Sequence, residues 1–432
     1  MSIRSLPSAR LPLSLILSLF LLVTGCCGQN INVSPPPVIA YENGWWFNGS
    51  GFERRTMYVS GAFFVAPVRA AAVVDLGGAW IVPPFAEAHN HNVEPSSRVD
   101  AVLQSYLADG VFYVQNPNSV PRARDELDGR INLPGAIDVA FAFAGLTGPG
   151  GHPRQLADRN VARGNWSAED AEGGFYLTIS DHADLDRAWP ALLRTKTDLV
   201  KVYLLDSAAY EAALPDRATE GWRGIDPALL PEIVKRAGVA GLPVAAHIET
   251  AEDFRVAVAA GVDQIVHMPG FRGDRSTTLP DPAIFRISDE DAENAARASV
   301  AVVTTVSSLA LHADDQSDAT LRHGADLLHS ANLRTLRHHG VRLLIGSDDY
   351  SGTSVAEALY LYELGIFTSA ELLHIWSVDT PQAIFPTRSI GRLEPGYEAS
   401  FLALAANPLD DFRNIRGIRV RVKQGRSIKL AE

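Results

Sequence analysis

The chain has 432 residues, 47% of them hydrophobic and 20% charged. That is enough to bury one or two sizeable cores and excludes a disordered or coiled-coil composition. Lys and Arg number 38 against 50 acidic residues, a formal charge of −12. No cationic run occurs, which argues against a nucleic-acid partner because phosphate contacts need clustered cations.

At the amino terminus, Arg4 and Arg10 flank the start of an apolar stretch over residues 11–23, too short for a comfortable membrane span. Val23-Thr24-Gly25-Cys26 resembles a bacterial lipobox. The resemblance implies a signal peptide over residues 1–25, cleavage before Cys26 and lipid on its thiol; ordinary cleavage and release is the alternative. Cys27, in place of Asp after the acylated cysteine, resembles outer-membrane sorting. The expected location is therefore the outer membrane, facing the periplasm through an N-terminal lipid anchor, or a periplasmic or secreted form if cleaved without lipidation. Residues 26–37, with Asn, Ser and Pro, read as a tether. Cys26 and Cys27 are the chain's 2 cysteines, so the rest has no thiol, disulfide or cysteine metal ligand, as suits an oxidising compartment.

Short strands follow at residues 38–41, 56–59, 63–65 and 72–76, and strands recur at 399–404 and 418–426. Residues 38–80 plus 388–432 are thus expected to form one small β domain, a sandwich built from both termini. Residues 78–91 form an apolar run that reads as a buried strand ending in His89 and His91, which share a face because strand side chains alternate. Further apolar runs end at residues 115, 144, 204, 247, 267, 305 and 348, making eight. Helical patterns over 98–108, 183–194, 227–240, 251–260, 289–298 and 327–338 alternate with them, and a short one covers 121–128. This alternation predicts an α/β (β/α)8 TIM barrel over residues 81–387.

Chemistry in such a barrel sits at the carboxyl ends of the strands. Those positions hold His89 and His91, Lys201, His247, His267 and Asp348, residue types that bind metal, drawn from five strands onto one rim. Each has a plainer alternative: a satisfied core histidine, or capping chemistry for Asp348. Lys201 is the exception, because an unpaired ammonium in the central strand Val200-Lys201-Val202 costs several kcal/mol, so it needs a partner or a modification. Tyr203 shares the strand parity of Lys201 and either donates to a developing oxyanion or packs. Arg272 and Arg275 either grip a substrate carboxylate or are solvated loop residues.

The order His-x-His, Lys, His, His, Asp resembles the amidohydrolase superfamily, in particular its imidazolonepropionase-like and prolidase-like metal-dependent hydrolases. Ala260-Gly261-Val262-Asp263-Gln264-Ile265-Val266-His267 and Ile390-Gly391-Arg392-Leu393-Glu394-Pro395-Gly396 match the family's phrases. Thr147-Gly148-Pro149-Gly150-Gly151-His152 looks like the Gly-Gly-His loop of the prolidase-like members. Pro84, Glu87 and Ser400 depart from the family pattern, which has Gly, Asp and Asp there.

The resemblance implies two divalent ions, Zn2+ first among them, bridged by Lys201 after carbamylation by carbon dioxide. His89, His91 and Asp348 would complete one ion's shell, and His247 and His267 the other's. A hydroxide bridging the ions would attack an amide-type carbonyl, with Asp348 carrying the proton to the leaving nitrogen. His152 is implied to be a supporting or substrate residue, against a solvated loop histidine. The expected partner is a small molecule with a hydrolysable C–N bond: a dipeptide, an acylated amino acid or a cyclic amide. Two other readings stand beside it: a lactone or phosphoester hydrolase of the same superfamily, and a surface lipoprotein that binds a ligand without catalysis. Oligomeric state is not legible.

Overall fold

A computed structural model describes residues 36–215, 220–270, 282–307 and 319–430; Cys26 and the leader lie outside them. Among the described residues no helix is long and apolar enough to cross a membrane.

Five strands open the fold: β1 (Val38–Phe47), β2 (Phe52–Ser60), β3 (Phe63–Val65), β4 (Ala72–Asp75) and β5 (Trp80–Val82). The middle of the chain supplies β6 (Phe85–Glu87), β7 (Val111–Ser119), β8 (Asp138–Phe143), β9 (Gly145–Thr147), β10 (Tyr176–Thr178), β11 (Val200–Tyr203), β12 (Val244–His247), β13 (Gln264–Val266), β14 (Ala301–Val303) and β15 (Arg342–Leu344). The chain ends in β16 (Phe401–Leu404), β17 (Ile418–Lys423) and β18 (Arg426–Ser427).

The first five and last three strands form one eight-stranded sheet in the order β18-β17-β16-β5-β1-β2-β3, with β4 also on β1. Both termini therefore build it. Tyr41, Trp46, Phe64 and Phe401 pack its core, with Tyr41 edge-on to Phe401 at 5.1 Å.

The barrel strands run parallel, β6-β7-β8 in one ladder and β11 to β15 in another. A bridge from Ala142 to Leu199 joins β8 to β11. Ala88 N–H donates to the Ile345 carbonyl at 2.9 Å and Asp348 N–H to that of His89 at 2.7 Å, closing the last strand onto the first. That gives the eight-stranded barrel. The third strand is extended past a kink at Ala144 (φ 52°) into β9, which pairs with β10 and β11.

Ala88, Ala142, Ala245 and Ala301 line the lumen together with Leu199, Val266, Val303 and Leu344. Small side chains low in the lumen leave width above them for a ring of imidazoles.

Two readings of the sequence are corrected. The run over 78–91 is not one strand: Pro83-Pro84 splits it into β5 in the sheet and β6 in the barrel, because proline has no N–H for a ladder. The second barrel strand, expected to stop at residue 115, continues to Ser119 through a bulge that accommodates Pro117.

Sheet and barrel are joined by a buried ionic network. Lys423, with no exposed surface, donates to Asp138 Oδ1 and to the Leu133 carbonyl, each at 2.7 Å. Arg388 donates to Asp138 Oδ2 at 2.8 Å and grips Glu398 with two bonds of 2.8 Å. Removing one partner of such a network leaves a buried charge uncompensated. Asp138→Ala is therefore expected to destabilise the fold by about 3–5 kcal/mol in urea unfolding, and an added Lys423→Met to recover much of the loss.

His329, in the helix Ala319–His338, is buried with neither ring nitrogen hydrogen-bonded. Burial lowers its pKa from 6.5 to about 4. The unfolded chain thus takes up this proton first, so the stability it contributes is present above pH 6.5 and is lost as pH falls through 4. His329→Leu should flatten the decline in stability across that window by about 3 kcal/mol, read by urea unfolding at stepped pH.

Candidate metal centre

The site lies just beyond the carboxyl ends of the barrel strands, where the chain leaves regular structure. His89 and His91 follow β6 in an irregular turn that keeps their rings 5.0 Å apart, with Nε2 atoms separated by 3.2 Å. Asp348 follows β15 and places Oδ1 3.7 Å from His89 Nε2 and 3.8 Å from His91 Nε2. One ligand atom from each of the three lies within 4.8 Å of the others. His267 stacks edge-on to His89 at 4.5 Å and to His247 at 4.6 Å, which continues the cluster around the mouth.

Lys201 is 1% exposed, and its Nζ has no hydrogen-bond partner; nor has Asp348 Oδ1. Burial lowers the Lys201 pKa to about 7 and raises that of Asp348 to about 7. Burial also drives His89 and His267 well below the usual imidazole range and His91 to about 4. These imidazoles are held neutral, the state in which they ligate metal.

Neighbouring groups orient three of the rings. His91 Nδ1 donates to the Asn118 carbonyl at 3.0 Å, which leaves Nε2 toward Asp348. His267 Nδ1 bonds the Thr305 hydroxyl at 2.9 Å, and His247 Nε2 bonds Glu249 Oε1 at 2.9 Å. Such outer partners orient metal-binding histidines. His267 (φ 82°), Thr305 (φ 45°) and Asp348 (φ 49°) adopt left-handed backbone, a strain of about 1–3 kcal/mol each that persists where surroundings enforce it and clusters at functional sites.

Beneath His89 and His91 lies Glu87, fully buried. Its Oε1 accepts from the His89 N–H at 3.1 Å and the Ser347 N–H at 2.8 Å, and its Oε2 from the Ser347 hydroxyl at 2.7 Å. Burial raises its pKa to about 8 against these donors. Gly346 allows the approach, since a Cβ there would stand 2.7 Å from the His89 nitrogen.

A family model described as the amidohydrolase family matches residues 194–427. The chain belongs to the amidohydrolase family. No curated protein matches it. Among solved structures it is similar to the ochratoxinase of A. niger (17% identity, TM-score 0.70, 91% of this chain and 95% of that one). It is likewise similar to a Xaa-Pro dipeptidase with bound methionine in the active site (18%, 0.68, 91% and 100%) and to phenylurea hydrolase B (18%, 0.69, 91% and 97%). At such identities these likenesses establish the fold.

Divalent metals are general in this family, and the donor set of this amidohydrolase fits them. His89, His91 and Asp348 converge, and two buried polar atoms beside them, Lys201 Nζ and Asp348 Oδ1, lack any hydrogen-bond partner. The sequence placed all six candidate ligands on this rim, with His152 stacked on His247 at 5.2 Å and Tyr203 5.6 Å from His247. Burial raises the Tyr203 phenol well above its ordinary pKa, so it keeps its proton. Arg272 and Arg275 lie outside the described residues.

Glu249, Thr305 and Asn118 were missed in the sequence. Glu249 had a local signal: Thr250 and Asp253 form a capping box at the helix Ala251–Ala260, and Asp253 Oδ2 also accepts from the Glu249 N–H at 3.1 Å. An acid two residues beyond a strand-end histidine and just before a cap is held in place by that cap. Glu87→Ala is expected to weaken divalent-metal affinity at His89, His91 and Asp348 by about 10–100-fold with the fold retained, measured by chelator competition and circular dichroism.

Proposed function

We propose that this amidohydrolase hydrolyses a C–N bond of an amide, peptide or cyclic amide, using two divalent ions, Zn2+ first among them. One observation carries this: buried Lys201 Nζ and Asp348 Oδ1, each without a hydrogen-bond partner, stand in a rim of four histidines. His89, His91 and Asp348 would hold one ion and His247 and His267 the other. Lys201 would take up carbon dioxide, forming an N–C bond and releasing a proton, to offer anionic oxygens to both. That change removes the problem of an unpaired buried amine. Ions bound there would lower the pKa of water and polarise the scissile carbonyl.

The chain's own groups do the rest. Asp348 takes a proton from the attacking water and returns it to the leaving nitrogen as the C–N bond breaks; the water's hydroxyl ends on the acyl carbon. Tyr203 donates to the carbonyl oxygen as negative charge develops on it. His152, bonded through Nδ1 to Gln155 at 2.8 Å, stands over His247 at the substrate side. The C–N class is supported by the family and by the activities named for the neighbouring dipeptidase and phenylurea hydrolase. The amino-terminal segment supports export and lipidation at Cys26, which would set the barrel at a membrane surface facing the periplasm. Arg272 and Arg275 remain proposed contacts for a substrate carboxylate.

Plasma mass spectrometry of the purified chain is expected to find about two metal ions per chain, and a clear loss in Lys201→Ala. Hydrolysis of Xaa-Pro dipeptides or N-acyl amino acids should disappear with chelation and return with Zn2+ and bicarbonate. Absence of metal after reconstitution with both would overturn the reading.

A further inference from the structure

Asn118 sits in the bulge of β7, where Asn116 faces Phe141 and Ser119 faces Phe143 on β8. A bulge redirects a side chain that a regular strand would send elsewhere. The amide of Asn118 has three partners, and together they fix which end is which. The Gly145 N–H donates to Oδ1 at 3.3 Å, while Nδ2 donates to the Phe175 carbonyl at 2.9 Å and to the Tyr203 hydroxyl oxygen at 3.0 Å. Phe175's carbonyl can only accept, so Nδ2 must be the end that faces it, and the end that faces Tyr203 as well.

The Tyr203 oxygen therefore accepts a hydrogen bond from Asn118. A phenol has a single proton, and that proton is not used on Asn118. Around the Tyr203 ring stand Lys201 Nζ at 5.3 Å, His152 at 5.1 Å and His247 at 5.6 Å. We propose that Asn118 is a positioning residue: by donating to the Tyr203 oxygen it turns that hydroxyl's proton toward the cluster, ready for the carbonyl oxygen of the substrate. With the opposite amide orientation, Oδ1 would take the proton and Tyr203 would have nothing left to donate. Gly145 makes the arrangement possible, because a Cβ there would lie 2.7 Å from Tyr203 Cε2 and 3.3 Å from Asn118 Oδ1. The backbone of the same residue holds His91, so Asn118 serves a ligand with its carbonyl and the oxyanion donor with its side chain.

This inference rests on the hydrolase reading, and its test separates the two. The metal-loaded chain is compared with Asn118→Ala, Tyr203→Phe and the double variant. The tyrosine C–O stretch in the infrared, isolated by subtracting Tyr203→Phe, should report a hydroxyl that accepts a hydrogen bond and should shift in Asn118→Ala. On Xaa-Pro dipeptides and N-acyl amino acids, Tyr203→Phe should lower kcat by roughly 100-fold or more. Asn118→Ala should lower it by roughly 10-fold with KM little changed, and by nothing further in the Tyr203→Phe background. Additive losses, or a C–O stretch unmoved by Asn118→Ala, would overturn the positioning role. A parent chain with neither bound metal nor hydrolysis would instead overturn the hydrolase reading, and the role in turnover with it.

Discussion

Glu87 is a carboxyl group without solvent access that accepts from the Ser347 amide at the end of the eighth barrel strand and the His89 amide at the end of the first. A barrel closes only if its first and last strands meet in register, and here the meeting point is also where two histidines and an aspartate must converge. Closure and ligand geometry are the same constraint. Taking a carboxylate out of water is unfavourable, as its raised pKa shows, and the donors from His89 and Ser347 offset that cost. Because those donors are backbone and hydroxyl groups of or beside His89 and Asp348, Glu87 ties the positions of these two residues together.

Strained backbone and unpartnered polar atoms meet at the mouth, while the opposite end carries a paired ionic network. At the mouth lie left-handed residues among and beside the ligands and a lysine without a hydrogen-bond partner. At the foot of β8, Asp138 accepts from both Lys423 and Arg388, and Arg388 is doubly bonded to Glu398. Stability away from the chemistry allows the rim to hold an arrangement that would be costly by itself.

The alternation of strands and helices was legible because each apolar run is short, bounded and followed by a helical period. The candidate ligands stood out because polar side chains at the ends of buried strands contradict their surroundings. What hid was of two kinds. Proline changed local meaning: Pro83-Pro84 cut one apolar run between two sheets, and Asn116-Pro117-Asn118, beyond the end read for the second apolar run, is a bulged part of its strand. The residues that orient His91 and His267, Asn118 and Thr305 among them, are ordinary polar residues whose partners are distant in sequence. Nothing local distinguishes a hydroxyl that fixes an imidazole from one that faces water.

Only Pro83 and Pro84 separate β5, an inner strand of the sheet, from β6, the strand that leads into His89 and His91. Proline fixes φ near −65°, so this junction is stiff where linkers between domains are usually compliant. The β domain is consequently not a detachable module. It acts as a splint on the strand that leads into His89 and His91, and Lys423 fastens it again on the far side. Barrel and sheet would have to be inherited, shuffled or engineered as one body, with variation in specificity confined to the loops at the open end.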